Sequence, residues 1–138
     1  MRRTSALAAI LVILCAGCGA PSVLEGKGLS QEAGTLQSSA AEGALLAQDV
    51  ASGRTIPVYV REHASDLATA VSQSLSTLEA VQTEPSLRSS LRRLTNLAGS
   101  IHRDLELLGT ADREESAALV RRLEAEAQAG EQIAAGLS

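Results

Sequence analysis

Apolar residues recur at alternating intervals of three and four residues through the third quarter of this chain. The positions that share this spacing are Leu87, Leu91, Leu94, Ala98, Ile101, Leu105 and Leu108. Such spacing puts one apolar stripe on one side of an α-helix, whereas a half-buried strand needs alternation at every second residue. Pro85 precedes the stripe and Gly109 follows it, and these residue types are common at a helix start and just after a helix end. The pattern therefore predicts a long amphipathic helix over residues 85–108.

Three further segments show the same spacing and are separated by turn residues. The first is predicted over residues 30–52, closed by Gly53, with the stripe Ala33, Leu36, Ala40, Gly43, Ala47 and Val50. The second covers residues 56–82 with the stripe Val60, Ala64, Leu67, Val71, Leu75 and Leu78. The last runs from about residue 111 to the end of the chain with the stripe Leu119, Leu123, Ala127, Gly130, Ala134 and Leu137. Side chains that accept hydrogen bonds from the first backbone amides are expected at Thr55, Thr83 and Thr110.

Four helices with links of only a few residues predict an all-α fold, an up-and-down antiparallel four-helix bundle. Its core should be aliphatic, because the chain has no Phe or Trp and its one aromatic residue is Tyr59. Gly34 and Gly43 each cost about 1 kcal/mol relative to alanine inside a helix, so the first helix is expected to be the weakest. The alternative is a bundle of three core helices with a looser first helix.

The first 17 residues have the arrangement of a secretory signal peptide. Arg2 and Arg3 form a positive start, residues 6–14 form an apolar run, and small residues stand just before Cys18. The run is shorter than the roughly 20 apolar residues that a membrane-spanning helix needs. Residues 14–18 read Leu-Cys-Ala-Gly-Cys and resemble the lipobox of bacterial lipoproteins, with Cys15 where that family usually has leucine.

This resemblance, which covers only about the first 20 residues, implies that Cys18 is diacylated, palmitate being one such acyl chain, and that residues 1–17 are removed. It also implies an extracytoplasmic protein that is lipid-anchored to the cell membrane, or to the periplasmic face of the outer membrane where a second membrane exists. An unlipidated secreted protein and an uncleaved membrane anchor are the alternatives. Residues 18–29 are rich in glycine and are expected to be a flexible tether, which leaves residues 30–138 as the bundle domain.

Charge and cysteine content restrict the partners of the chain. The net charge is −4, and loss of the two arginines that precede Cys18 would lower it to −6. A chain with this charge is not expected to bind nucleic acid. Removal of Cys15 and lipidation of Cys18 would leave no thiol for a disulfide or a nucleophile. The expected partners are therefore the membrane, through the lipid, and a protein of the cell envelope.

Two histidines give the sequence its one candidate metal site. His63 and His102 border the apolar stripes of the second and third helices, and folding these helices back at residues 83–85 puts the two imidazoles within a turn of each other. The carboxylates expected nearby are Asp66, Asp104 and Glu106. Imidazole and carboxylate groups suit zinc or copper. The Glu-x-x-His spacing of bundle di-iron sites is absent, however, because Gly99 stands three residues before His102. A structural or solvent-edge role for both histidines is therefore the preferred interpretation.

Patterns of catalytic sites are missing from the sequence. There is no Gly-x-Ser-x-Gly motif, and the segment 26–28 lacks the upstream glycine of a phosphate-binding loop. We therefore expect neither enzyme activity nor a cofactor. The leading hypothesis is a membrane-tethered envelope lipoprotein whose helical bundle acts in structure, assembly or protein interaction. The alternative is a lipoprotein whose bundle binds a metal or a small ligand.

Overall fold

The computed structural model describes residues 23–137 and contains four long helices. Their bounds are α1 Gly26–Ala51, α2 Pro57–Ala80, α3 Arg88–Leu108 and α4 Arg113–Ala135, with a short 3₁₀ turn at Pro85–Leu87 before α3. Short links make consecutive helices antiparallel, and the predicted four-helix bundle is confirmed. No helix within the described residues is both long and apolar enough to span a membrane. Residues 1–22, with Cys18 and the predicted signal peptide, lie outside the described range.

α1 and α4 pack more closely than any other pair of helices in the described bundle, because small residues face each other across their seam. A Cβ atom added to Gly130 of α4 would lie 3.3 Å from the carbonyl oxygen of Ala33 in α1, so the two backbones nearly touch. Gly43 of α1 leaves space for the side chain of Leu105. The alternative of three core helices with a looser first helix is therefore wrong. Glycine lowers helix propensity, but here it also permits a close approach that a larger side chain would prevent.

The core is built from aliphatic side chains, as the composition predicted. The fully buried large apolar residues are Leu29, Leu36, Val71, Leu78, Leu94, Ile101, Leu105, Leu108, Leu119 and Leu123. Burying one such side chain contributes roughly 1.5 to 3 kcal/mol. All four helices supply members of this set, so the bundle has one continuous core.

The helix starts differ from those predicted. α4 is capped by Asp112, whose Oδ1 accepts a hydrogen bond from the Glu115 backbone N–H at 2.9 Å, while Glu115 Oε2 accepts from the Asp112 N–H at 3.0 Å. This reciprocal arrangement satisfies two backbone donors at once. α2 follows Ile56, and neither α2 nor the 3₁₀ turn before α3 has a side-chain cap. The predicted caps that are wrong are Thr55, Thr83 and Thr110.

α1 begins within the segment predicted to be a flexible tether. Val23 forms a parallel bridge with Gln82, and the Leu24 N–H donates a hydrogen bond to the Gln82 carbonyl oxygen at 3.0 Å. The side chain of Leu24 then lies against Gly28, and Leu29 is completely buried. The prediction of a flexible tether is therefore wrong for residues 23–29, because their leucines find places in the core that outweigh the low helix propensity of the glycines.

The bundle has two ends of different character. We call the end at which Val23 meets Gln82 the entry end; it also holds the link between α2 and α3. The opposite end, the far end, holds the α1–α2 and α3–α4 turns. Gly53 makes the α1–α2 turn with φ +67°, a backbone conformation that favours glycine. This agrees with the prediction that Gly53 closes the first helix. The 26 residues of α1 separate the two ends by about 39 Å.

Candidate functional site

His63 is held between α1 and α2. Its Nε2 lies 2.8 Å from Oε1 of Glu42 in α1, and the ring of Tyr59 stacks on the imidazole with the ring centroids 5.6 Å apart. About a third of the His63 side chain stays exposed. The imidazole therefore links two neighbouring helices at the edge of the bundle.

His102 is held between α2 and α3. Its Nδ1–H donates to the carbonyl oxygen of Ala68 in α2 at 3.1 Å, and its Nε2 lies 3.6 Å from Oε1 of Glu106 one turn further along α3. Of the predicted metal ligands, His102 and Glu106 are thus close together. Ala68 contributes a backbone carbonyl that holds the imidazole in one tautomer.

The other predicted ligands point elsewhere. Asp104 is 6% exposed and faces α4, where its Oδ1 lies 3.1 Å from Nη2 of Arg122. Asp66 is exposed on α2. Between residues 23 and 137, no group of three or more His, Cys, Asp or Glu side chains is placed to hold a metal ion. The predicted metal set does not converge, because residues at a similar height along two helices still project in different directions around each helix axis.

A cluster of charged residues on the seam between α3 and α4 was not predicted as a unit. Burial raises the pKa of Asp104, against the opposing effect of the Arg122 and Arg103 charges. Burial also raises the pKa of Glu126 in α4; a hydrogen bond from Ser100 opposes this rise, and the nearby charge of Asp104 adds to it. Oε2 of Glu126 is buried without a hydrogen-bond partner. The cluster is therefore able to take up protons at a higher pH than exposed carboxyl groups.

One signal for this cluster was present in the sequence. Asp104 lies three residues after Ile101 and one before Leu105, which puts a carboxylate at the border of the apolar stripe of α3. A carboxylate in such a position needs a partner from another helix. The sequence could not show that the partner is Arg122 of α4.

The far end carries a cleft of about 490 Å³ between the two turns of the bundle. Its apolar lining comes from Val50, Pro57, Val60, Leu108 and Ala111. Charged residues that line it are Arg61, Asp112 and Arg113. Beside it, three apolar side chains are more than half exposed, namely Ile56, Val58 and Tyr59. Sequence patterns did not predict this cleft, because the residues around the two turns carry only the signals of helix starts and ends.

Comparisons of this chain with protein-family models, with curated proteins and with solved structures find no match. Two features of the chain itself bear on its function, the lipobox-like sequence at residues 14–18 and the distribution of apolar and charged groups over the bundle.

Proposed function

We propose that this chain is an extracytoplasmic lipoprotein, anchored through a lipid on Cys18, whose four-helix bundle acts by contact with another protein of the cell envelope. The bundle carries no metal-holding cluster within residues 23–137, and on its charged seam Asp104 already pairs with Arg122 of the neighbouring helix. Helix surfaces and turns are then the parts of the described bundle that remain available for function.

The pairing of Val23 with Gln82 supports this proposal best. It fixes the point at which the chain enters the bundle, only five residues after Cys18. Five extended residues reach at most about 18 Å, so a lipid on Cys18 would keep the entry end close to the bilayer. The two or more acyl chains implied by the lipobox resemblance provide stable anchoring, which a single chain does not. The far end would then project away from the membrane.

Metabolic labelling with a radioactive fatty acid tests the anchor. We expect the full chain to incorporate label, to begin at residue 18 in mass analysis, and to fractionate with membranes. The Cys18→Ser variant should not incorporate the label. If its signal peptide is still removed, it should leave the membrane fraction; if not, it should stay as an unlabelled precursor. Cys15→Ser is the matched control, because it removes a thiol of the signal segment and should keep the label. Label that persists in Cys18→Ser, or a mature protein that still begins at Met1, would refute the proposal.

A further inference from the structure

The cleft at the far end combines an apolar floor with two arginines. Val60 and Leu108 on its floor belong to the buried core, and Pro57 and Ala111 extend this apolar surface towards solvent. Arg113 reaches across the turn, with its guanidinium against Gly53. A side chain at residue 53 would occupy this space, so the glycine both makes the turn and leaves room for the arginine.

The lining of the cleft carries two arginines and one acid, so its charge is positive although the chain as a whole is acidic. Asp112, the acid in the lining, already accepts a hydrogen bond from the Glu115 backbone as the cap of α4. Arg54, on the neighbouring turn, pairs with Asp49 at 2.9 Å. Neither Arg61 nor Arg113 has an acidic partner within ion-pair distance among residues 23–137. Both guanidinium groups are therefore able to bind a carboxylate.

The start of α2 strengthens the preference for an anionic partner. This helix has no side-chain cap, and the backbone N–H groups of Val58 and Tyr59 in its first turn have no acceptor within the helix. The positive end of the α2 dipole thus lies on the same side of the molecule as Arg61. At the start of α4, by contrast, the carboxylate of Asp112 already accepts a hydrogen bond from the first turn of the helix.

We propose that this far-end cleft binds an apolar segment of a partner protein that presents a carboxylate to Arg61 and Arg113. The apolar lining receives hydrophobic side chains, the exposed Ile56, Val58 and Tyr59 extend the contact, and the two arginines fix its orientation. The inference rests on the proposed function in one respect, because an anchor at the entry end puts the cleft about 39 Å from its own bilayer. A protein is then a better occupant than a lipid surface.

Photo-crosslinking of the full chain in native membranes tests this proposal. A photoreactive aromatic amino acid replaces Tyr59 beside the cleft, or, as a control, Leu45, an exposed apolar residue of α1 that does not line it. Mass spectrometry identifies the crosslinked peptide. We expect the probe at residue 59 to capture a protein segment with apolar residues and an aspartate, a glutamate or a terminal carboxyl group, and the probe at residue 45 not to capture it.

Charge dependence is tested in the same membranes. Arg61→Gln combined with Arg113→Gln should lower the crosslink yield at residue 59 at least about tenfold, because two charge-assisted hydrogen bonds are lost. Arg92→Gln combined with Arg121→Gln, two exposed arginines outside the cleft, should leave the yield unchanged. Crosslinks to lipid, to a second copy of this chain or to a segment without a carboxyl group would overturn the proposal. The proposal would also be overturned if residue 59 gave no crosslink, or if neither double variant changed the crosslink yield at residue 59.

Repeating the labelling experiment on these variants separates the two proposals. An arginine-dependent crosslink in a chain that carries no lipid would refute the anchor and leave the cleft assignment standing. A lipidated chain with no crosslink at residue 59 would refute the cleft assignment and leave the anchor standing.

Discussion

Glycines at different positions in the two most closely packed helices meet very different surroundings. A Cβ atom on Gly34 of α1 would meet no atom within 4 Å, whereas one on Gly130 of α4 would lie 3.3 Å from backbone atoms of Ala33 and Gln37. At the first position glycine only adds conformational freedom to the unfolded chain. At the second position it sets how closely the helices approach.

Alanine substitutions should therefore act in opposite directions at these two sites. We expect Gly34→Ala to raise the free energy of unfolding by about 0.5 to 1 kcal/mol, through helix propensity alone. Gly130→Ala gains the same propensity but pushes the α1 backbone away, so we expect a net loss of about 1 kcal/mol. Urea unfolding followed by circular dichroism measures both. Equal effects at the two positions would show that the seam is looser than described.

The half-buried carboxyl group of Glu126 predicts how the free energy of unfolding depends on pH. Its raised pKa means that the folded bundle disfavours the charged form. The protonated carboxyl group therefore favours folding in acid, and this advantage is lost as the pH rises through the raised pKa. We expect Glu126→Gln to be more stable than the natural chain at pH 7, and the difference to shrink towards pH 4.5, the ordinary glutamate value. Unfolding titrations across this range measure it.

Glu124→Gln serves as the control for this pH dependence, because Glu124 is exposed on the same helix. Its stability profile should run parallel to that of the natural chain. If the free energy of unfolding of Glu126→Gln also followed that of the natural chain at every pH, the partial burial of this carboxyl group would have no consequence for folding.

At the scale of whole helices, α2 and α4 differ in how their first turns are satisfied. α4 starts at a reciprocal pair of hydrogen bonds between Asp112 and Glu115, and Glu114 and Glu115 complement its dipole. α2 starts after Ile56 with Pro57 in its first turn and no side-chain cap. A threonine stands close to each start, but neither Thr55 nor Thr110 is the cap.

Removing the cap of α4 should thus be more costly than removing the expected cap of α2. We expect Asp112→Ala to lower the free energy of unfolding by about 1 kcal/mol, because one backbone amide loses its acceptor. Thr55→Ala should change it by less than about 0.5 kcal/mol. Thermal unfolding at matched concentration compares the two. A larger loss for Thr55→Ala would mean that its hydroxyl group caps α2 in solution.

Sequence periodicity was sufficient to predict the four helices and their connectivity. It was strongest in α3, whose stripe is buried from Leu94 to Leu108. It failed at the start of α1, where Gly26 and Gly28 indicated a coil although Leu24 and Leu29 find places in the fold. Helix propensity is a local property, and burial against another helix outweighs it.

The candidate site was harder to predict than the fold. Folding α2 back on α3 does put His102 against α2, where its Nδ1–H donates to the Ala68 carbonyl oxygen. Height along a helix does not fix direction around it, however, so His63 faces Glu42 in α1 and Asp104 faces Arg122 in α4. The far-end cleft depends on two turns that are distant in sequence, and no local pattern describes their meeting.

A lipid on Cys18 would give the whole molecule a defined orientation on the membrane. The entry end, with Gln82, would lie near the bilayer, and the far end, with Arg113, would lie away from it. The link from Cys18 to Val23 is too short for the far end to reach the bilayer unless the whole bundle tilts.

Energy transfer to a labelled membrane surface tests this orientation. Loss of Cys15 and lipidation of Cys18 would leave no other thiol, so a fluorophore can be attached at Glu84→Cys near the entry end or at Glu114→Cys near the far end. Both positions are exposed. In vesicles with acceptor-labelled headgroups, we expect clearly stronger transfer from residue 84 than from residue 114. Equal transfer would indicate a bundle that lies flat on the membrane.

The close seam between α1 and α4 joins the first and the last of the four helices between residues 23 and 137. The small-residue face of α1 is therefore covered by the described helix that is most distant from it in the sequence, and the core is complete only when α4, with Gly130, packs against it. A chain that lacked residues 113–135 would expose this face to solvent, so the other three helices alone would leave part of the core uncovered.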